Sequence, residues 1–164
     1  MKVVMGQLNT FVGDIRGNTE KVIQVSREAD TAGQDTLLVF PELTLTGYPP
    51  EDLLMRDSLQ AQIEDALTRL ASELPSHLYV VVGYPRRSEG RLYNAAGVLH
   101  GGQRVGEYFK QHLPNYQVFD EKRYFSEGDI PCVLDVAGIK VGITICEDIW
   151  HKEPADMARR MGAE

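Results

Sequence analysis

Three residues with reactive side chains each follow a short apolar run of the sequence. Glu42 comes after LLVFP, Lys110 after VGEYF, and Cys146 after GITI. Short apolar runs of this kind are typical of buried β-strands, and in sheets built from crossover units the carboxyl ends of strands meet at one crevice. We therefore expect a carboxylate, an ammonium and a thiol to lie close together although they are far apart in the sequence.

These three groups together suit the cleavage of an amide. A thiol is a weak nucleophile until its proton is removed, and the carboxylate of Glu42 can accept that proton as a general base. The Lys110 ammonium can stabilise the thiolate of Cys146 and the oxyanion formed on attack, and the backbone N–H of Glu147 is a second candidate oxyanion donor. The expected reaction is acyl transfer from an amide through a thioester.

Each of these residues taken alone has a simpler interpretation. A cysteine at a strand end is usually a small buried hydrophobic residue, Glu42 could be a solvated loop acid, and Lys110 could be a charge on an edge strand. A redox role for Cys146 is disfavoured because the chain has only one other cysteine, Cys132, and it is not adjacent. Only the combination of the three residues points to catalysis.

The elements that must position these residues follow from the apolar periodicity. We predict helices over 18–33, 57–74 and 153–162, strands over 2–9, 35–42, 78–87, 91–100 and 103–110, and a hairpin over 132–146 that turns near Gly138. Segment 43–55 reads as a loop that leads into a helical turn, and 111–130 shows little periodicity. The order mixes parallel crossover units with antiparallel hairpins and indicates a mixed sheet with helices on one face.

Composition excludes several classes of function. The chain has 164 residues, a net charge of −7 and 43% hydrophobic residues, so we expect one globular domain that binds neither nucleic acid nor membrane. The N-terminus lacks the features of a signal peptide, and two cysteines without a CxxC motif suggest reduced thiols in the cytoplasm. The four histidines show no metal-ligand spacing, so no metal is expected.

Three blocks of the sequence resemble a known family. VFPELTLTGYPPEDL, GEYFKQHLPNYQVFDEKRYF and GITICEDIW are similar to the signature blocks of the carbon–nitrogen hydrolase (nitrilase) superfamily. Within it they most resemble the amino-terminal glutaminase domain of glutamine-dependent NAD synthetases. The resemblance runs from GQLNTFVGDIRGN to the cysteine block and rests most on KxxLPNYxVFDExRYF together with CEDIW.

The resemblance implies a role for each matching residue. Glu42 would be the general base, Lys110 the oxyanion stabiliser and Cys146 the nucleophile, with Glu121 as a second acid beside the lysine. Glutamine would be held by three aromatic residues and one acid, Tyr48, Tyr116, Phe119 and Glu147. The acid, Glu147, is a candidate partner of the substrate α-amino group.

The family fold is an α-β-β-α sandwich, and the family domain is longer than this chain. We therefore expect residues 1–164 to form a partial carbon–nitrogen hydrolase domain that is incomplete at the C-terminus and inclined to self-associate through an exposed apolar face. The ATP-dependent synthetase domain, with its ATP and Mg, is expected outside this chain, which itself needs no cofactor. In the longer enzyme, a homo-oligomer, the ammonia released from glutamine would serve to make NAD. The alternatives are a free-standing amidase or nitrilase with another amide substrate and an inactive fragment.

Overall fold

A computed structural model of the chain describes residues 1–30 and 34–164. The larger of its two sheets has five strands in the order β1-β2-β3-β4-β5. Strands β1, β2 and β3 run parallel, and β4 and β5 follow as antiparallel neighbours. Their bounds are Lys2–Met5, Thr36–Val39, Tyr79–Ser88, Arg91–His100 and Gln103–Phe109.

Two helices cover one face of this sheet. Helix α1 (Ile15–Ala29) begins after Asp14, whose carboxylate accepts a hydrogen bond from the Gly17 N–H at 2.9 Å, a standard N-cap contact. Helix α2 is Asp57–Glu73. Both bury one apolar stripe against alternate residues of the strands, and the resulting core includes Val22, Ile23, Ile63, Leu70, Leu38, Val80 and Val82.

The opposite face of the sheet packs on a second, two-stranded sheet. Strands β6 (Cys132–Val136) and β7 (Ile139–Ile143) form the hairpin, and helix α3 (Lys152–Arg160) lies on its far side. A second core fills the space between the sheets and includes Leu37, Val81, Val98, Tyr108, Val136 and Ile143. The layers therefore run helix, sheet, sheet, helix, which confirms the expected α-β-β-α sandwich.

The predicted elements are all present, with shorter bounds in several cases. Strand β1 ends at Met5 rather than at residue 9, and α1 begins three residues earlier than predicted because Asp14 caps it. The predicted end of that helix near Gly33 falls outside the described residues. The predicted mixed sheet with helices on one face is confirmed for the larger sheet, and helix α3 covers the second sheet instead. None of the helices in the described part of the chain combines the length and apolar character that a membrane span requires.

Candidate active site

Strand topology explains why Glu42 and Lys110 meet. Strand β5 is antiparallel to β4, which is antiparallel to β3, so β5 points in the same direction as β2 and β3. The carboxyl ends of β2 and β5 therefore lie at one edge of the sheet. Lys110 follows β5 directly, and Glu42 lies three residues beyond β2.

The chain beyond β2 remains attached to β3, and this fixes Glu42. The Phe40 N–H donates to the Val81 carbonyl at 2.9 Å, and the Leu45 N–H donates to the Gly83 carbonyl at 3.1 Å. Thr44 Oγ1 also donates to the Pro41 carbonyl and closes the turn. Glu42 lies in this bridged segment with a side chain that is only 18% exposed.

Lys110 is the centre of a charged cluster. Its Nζ donates to Glu42 Oε1 at 2.7 Å and to both oxygens of Glu121 at 2.9 Å, and its side chain is completely buried. Burial acts to lower the pKa of Lys110, but the two carboxylates outweigh it and the pKa is raised. The lysine is therefore a fixed cation, and direct donation to a substrate would require the side chains around it to move.

Cys146 reaches this cluster from the other sheet. It begins the short 3₁₀ helix Cys146–Trp150, three residues after β7, and has a φ of 44° in the left-handed region. Burial, followed by the charge of Glu42, raises the pKa of its thiol, while Lys110 acts in the opposite direction. The raised pKa keeps the thiol protonated at rest, and Cys146 and Glu42 line the same cavity, so the Glu42 carboxylate is the candidate to take its proton.

The residues expected to bind a substrate surround the same cluster. Burial and the carboxylates of Glu121 and Glu42 raise the pKa of Tyr48. Tyr116 donates to Glu147 Oε2 at 2.8 Å, and the rings of Tyr116 and Phe119 meet edge to face at 5.7 Å between centroids. The Glu147 carboxylate is therefore already engaged, and a substrate amine would have to share or replace that contact.

Two cavities adjoin the charged cluster. One of about 200 Å³ is lined by Glu42, Cys146 and mostly apolar residues of the larger sheet, including Val81 and Ala95. Another of about 60 Å³ is lined by Tyr48, Phe119 and Glu121 among others. A larger hollow of about 430 Å³ lies between α1 and α2 and contains none of the predicted site residues.

Two further residues belong to the site and were not predicted from the sequence. Asn94, in β4, donates from Nδ2 to Glu42 Oε1 at 2.6 Å. Asp148 is fully buried and accepts from the Tyr108 hydroxyl at 2.8 Å and from three backbone N–H groups, those of Gln111, His112 and Ile145. The only sequence signal for Asn94 is an amide inside the apolar run LYNAAGVL.

A pair of histidines joins the segment just after Lys110 to the segment that follows Cys146. The rings of His112 and His151 stack with centroids 3.8 Å apart and an interplanar angle of 8°, and ligand atoms of both lie within 4.8 Å of one on Glu153. Sequence spacing did not indicate this cluster. Imidazole lone pairs lie in the ring plane, so two parallel stacked rings do not converge on one ion at the 2.0–2.1 Å usual for zinc unless they splay apart. The pair as it stands is a packing contact.

Comparison with known proteins identifies relatives over the whole chain. A family model described as carbon-nitrogen hydrolase matches residues 2–164. The chain is 41% identical over 167 residues to a glutamine-dependent NAD(+) synthetase of Xanthomonas campestris pv. campestris and 45% identical over 152 residues to one of Thermotoga maritima. These matches cover 100% and 92% of the chain but only 30% and 26% of the relatives, so the chain spans less than a third of their length.

Solved structures show the same similarity. The glutamine-dependent NAD+ synthetase of Acinetobacter baumannii, in complex with adenosine diphosphate, superposes with a TM-score of 0.92 at 37% identity over 99% of this chain and 30% of that one. An amidase from Nesterenkonia sp. shares the fold with a TM-score of 0.88 at 23% identity, over 100% of this chain and 62% of its own.

Proposed function

This chain belongs to the carbon–nitrogen hydrolase family, and we propose that it carries the glutamine-hydrolysing site of a glutamine-dependent NAD synthetase. The relatives that match nearly its whole length bear that name. The observation that carries the proposal is the Lys110 ammonium held between Glu42 and Glu121, with Glu42 and Cys146 lining one cavity beside it.

The proposed reaction begins with the side-chain amide of glutamine against Cys146. Glu42 takes the thiol proton as the sulfur attacks the amide carbon, and the carbonyl oxygen becomes an oxyanion near Lys110 and the Glu147 N–H. The proton then passes from Glu42 to the departing nitrogen, which leaves as ammonia. Because the raised pKa keeps the thiol protonated at rest, proton transfer accompanies the attack.

Hydrolysis of the thioester completes the cycle. Glu42 removes a proton from water, the resulting hydroxide attacks the thioester carbon, and the thiolate is released and reprotonated to give glutamate and free Cys146. We propose that Tyr48, Tyr116, Phe119 and Glu147 hold the glutamine. The ammonia would serve a synthetase domain of the same longer protein, which uses ATP and Mg to amidate nicotinic acid adenine dinucleotide.

The test compares glutamine with other amides in the protein as its gene encodes it. Ammonia release from glutamine and from a panel of aliphatic amides is measured for the wild type, Cys146→Ser and the control Cys132→Ala. We expect glutamine to be the preferred substrate, and only Cys146→Ser to abolish its turnover. Turnover of simple amides without turnover of glutamine would contradict the proposal.

A covalent probe tests the nucleophile separately. An electrophilic glutamine analogue should add to Cys146 and leave Cys132, which is partly buried between the sheets, unmodified. Mass spectrometry of proteolytic fragments locates the adduct. Equal labelling of both cysteines would instead favour an inactive domain.

A further inference from the structure

We propose that Asn94 is a positioning residue: with Lys110 it occupies one oxygen of the Glu42 carboxylate and so reserves the other oxygen for the proton of Cys146. This inference rests on the proposed function and concerns the same site. It assigns a role to a residue of β4 that acts through Glu42 and not directly on the substrate.

The geometry begins at Oε1 of Glu42. Asn94 Nδ2 donates to this atom at 2.6 Å, and Lys110 Nζ donates to the same atom at 2.7 Å. Two donors on one oxygen hold the carboxylate in a single orientation. Neither of them reaches Oε2, so that oxygen is available to accept a proton from the thiol.

The backbone of Asn94 also fixes the position of Lys110. Its carbonyl oxygen accepts the Lys110 N–H at 2.9 Å at the end of the β4–β5 ladder. Asn94 itself is completely buried in the middle of β4, opposite Pro85 of β3. One rigid residue therefore locates both the carboxylate of Glu42 and the main chain that carries Lys110.

The orientation of the amide indicates that the contact with Glu42 matters more than local stability. With Nδ2 towards the carboxylate, Oδ1 of Asn94 is buried and has no hydrogen-bond partner among the residues that the structure describes. A buried acceptor without a partner is destabilising. A residue kept only for packing would be better served by an apolar side chain of similar size.

The contacts of Asn94 should also affect the pKa of Glu121. Burial and then Glu42 raise the pKa of Glu121, whereas Lys110 and a hydrogen bond from Asn94 act to lower it. Loss of the Asn94 amide should therefore raise the pKa of Glu121 further, so that this carboxyl takes up a proton at higher pH.

The experiment uses Asn94→Ala and Asn94→Asp in the protein as its gene encodes it. Two quantities are followed against pH: the rate of Cys146 alkylation by iodoacetamide, and kcat and KM for glutamine. For Asn94→Ala we expect kcat to fall about 100-fold, as for other small misplacements of a catalytic group, with little change in KM. The acid limb of both profiles should move to higher pH.

Asn94→Asp gives a sharper signature. An ionised aspartate cannot donate to Glu42, whereas a protonated one can. The activity of Asn94→Asp relative to Asn94→Ala should therefore recover as pH falls. The matched control is Asn18→Ala, because Asn18 is equally buried but donates to the carbonyls of Phe11 and Leu45; this variant should lose thermal stability while its acid limb stays in place.

Each outcome decides the matter. An unchanged acid limb and unchanged kcat in Asn94→Ala would overturn the inference, and so would equal losses of kcat in Asn94→Ala and Asn18→Ala that follow their losses of stability. If the wild type does not hydrolyse glutamine but the alkylation profile of Asn94→Ala still shifts, the proposed function fails and the positioning role of Asn94 stands.

Discussion

Cys146 occupies a backbone conformation that L-residues with a Cβ atom rarely adopt. Its φ of 44° places the sulfur at the tip of a tight turn between β7 and the following 3₁₀ helix. The same turn leaves most of the residue accessible at the surface, with its thiol partly shielded from water beside the mostly buried Glu42 and Lys110. The strain is thus located at the residue to which we assign the chemistry.

A substitution at Cys146 should reveal this strain. Glycine adopts positive φ without a Cβ penalty, so Cys146→Gly should be about 1 kcal/mol more stable than Cys146→Ala. Both variants should be inactive. Urea unfolding of the two proteins measures the difference, and greater stability of the alanine variant would show that the turn is not strained.

At the scale of elements, Gly83 controls the approach of β3 to the segment that carries Glu42. A Cβ at this position would lie 2.8 Å from the Pro41 carbonyl oxygen and closer still to the Leu43 nitrogen, and both are backbone atoms. The segment between Pro41 and Leu43 packs against bare backbone. Its position, and with it that of Glu42, therefore depends on the absence of a side chain on β3.

Gly83→Ala should displace Glu42. Because backbone atoms cannot move aside as a flexible side chain can, we expect a loss of stability of about 1–3 kcal/mol and a fall in kcat. Gly106→Ala is the control, since the atoms nearest to its Cβ would be side-chain atoms of Leu134 and Cys132. Equal effects of the two variants on kcat would contradict this explanation.

Asp148 joins the nucleophile turn to the end of β5. It accepts the N–H of Ile145 on one side and the N–H groups of Gln111 and His112, together with the Tyr108 hydroxyl, on the other. Because β5 and β7 belong to different sheets, this carboxylate is a polar link across the interface between the layers. It holds the chain around Cys146 against the chain just after Lys110.

Asp148→Ala should be strongly destabilising. It leaves several buried donors without a partner, each at a cost of about 1–3 kcal/mol, so we expect a total loss of about 3 kcal/mol or more. Tyr108→Phe removes only one of these contacts and should lose less. Chemical denaturation compares them, and similar losses for the two variants would show that the backbone contacts of Asp148 contribute little.

At the scale of the whole molecule, the two sheets are unequal in width. Five strands face two, so the hairpin β6–β7 leaves part of the larger sheet uncovered. Val3 and Met5 on β1 are 58% and 85% exposed, whereas Val4 between them packs towards the helices. An edge strand with exposed apolar side chains favours association with other chains.

The 164-residue chain produced by itself should therefore self-associate. Replacement of Val3 and Met5 by lysine places charge on the exposed edge and should shift the population towards monomer. Analytical ultracentrifugation at several concentrations measures this. A monomeric wild-type chain would show that the exposed apolar side chains of β1 do not cause self-association.

Much of this molecule was predictable from local sequence patterns. The apolar runs of β3 to β5, separated by glycine-containing turns, and the helical spacing of Leu59, Ile63 and Leu70 were sufficient to locate these elements. Element ends were less predictable, because they depend on contacts such as the cap from Asp14 and the short pairing of β1 with β2.

The sequence by itself determined which residues could do chemistry, because a reactive side chain after an apolar run is a local signal. Only the tertiary structure decided how they meet: Cys146 arrives from the second sheet rather than from the same edge as Glu42 and Lys110. Only the tertiary structure revealed the contacts that Asn94 and Asp148 make in the site. The contact of Asn94 with Glu42 and those of Asp148 with Tyr108 and His112 join residues 36 to 52 positions apart. The sheet pairing and packing that bring such segments together leave no local mark in the sequence.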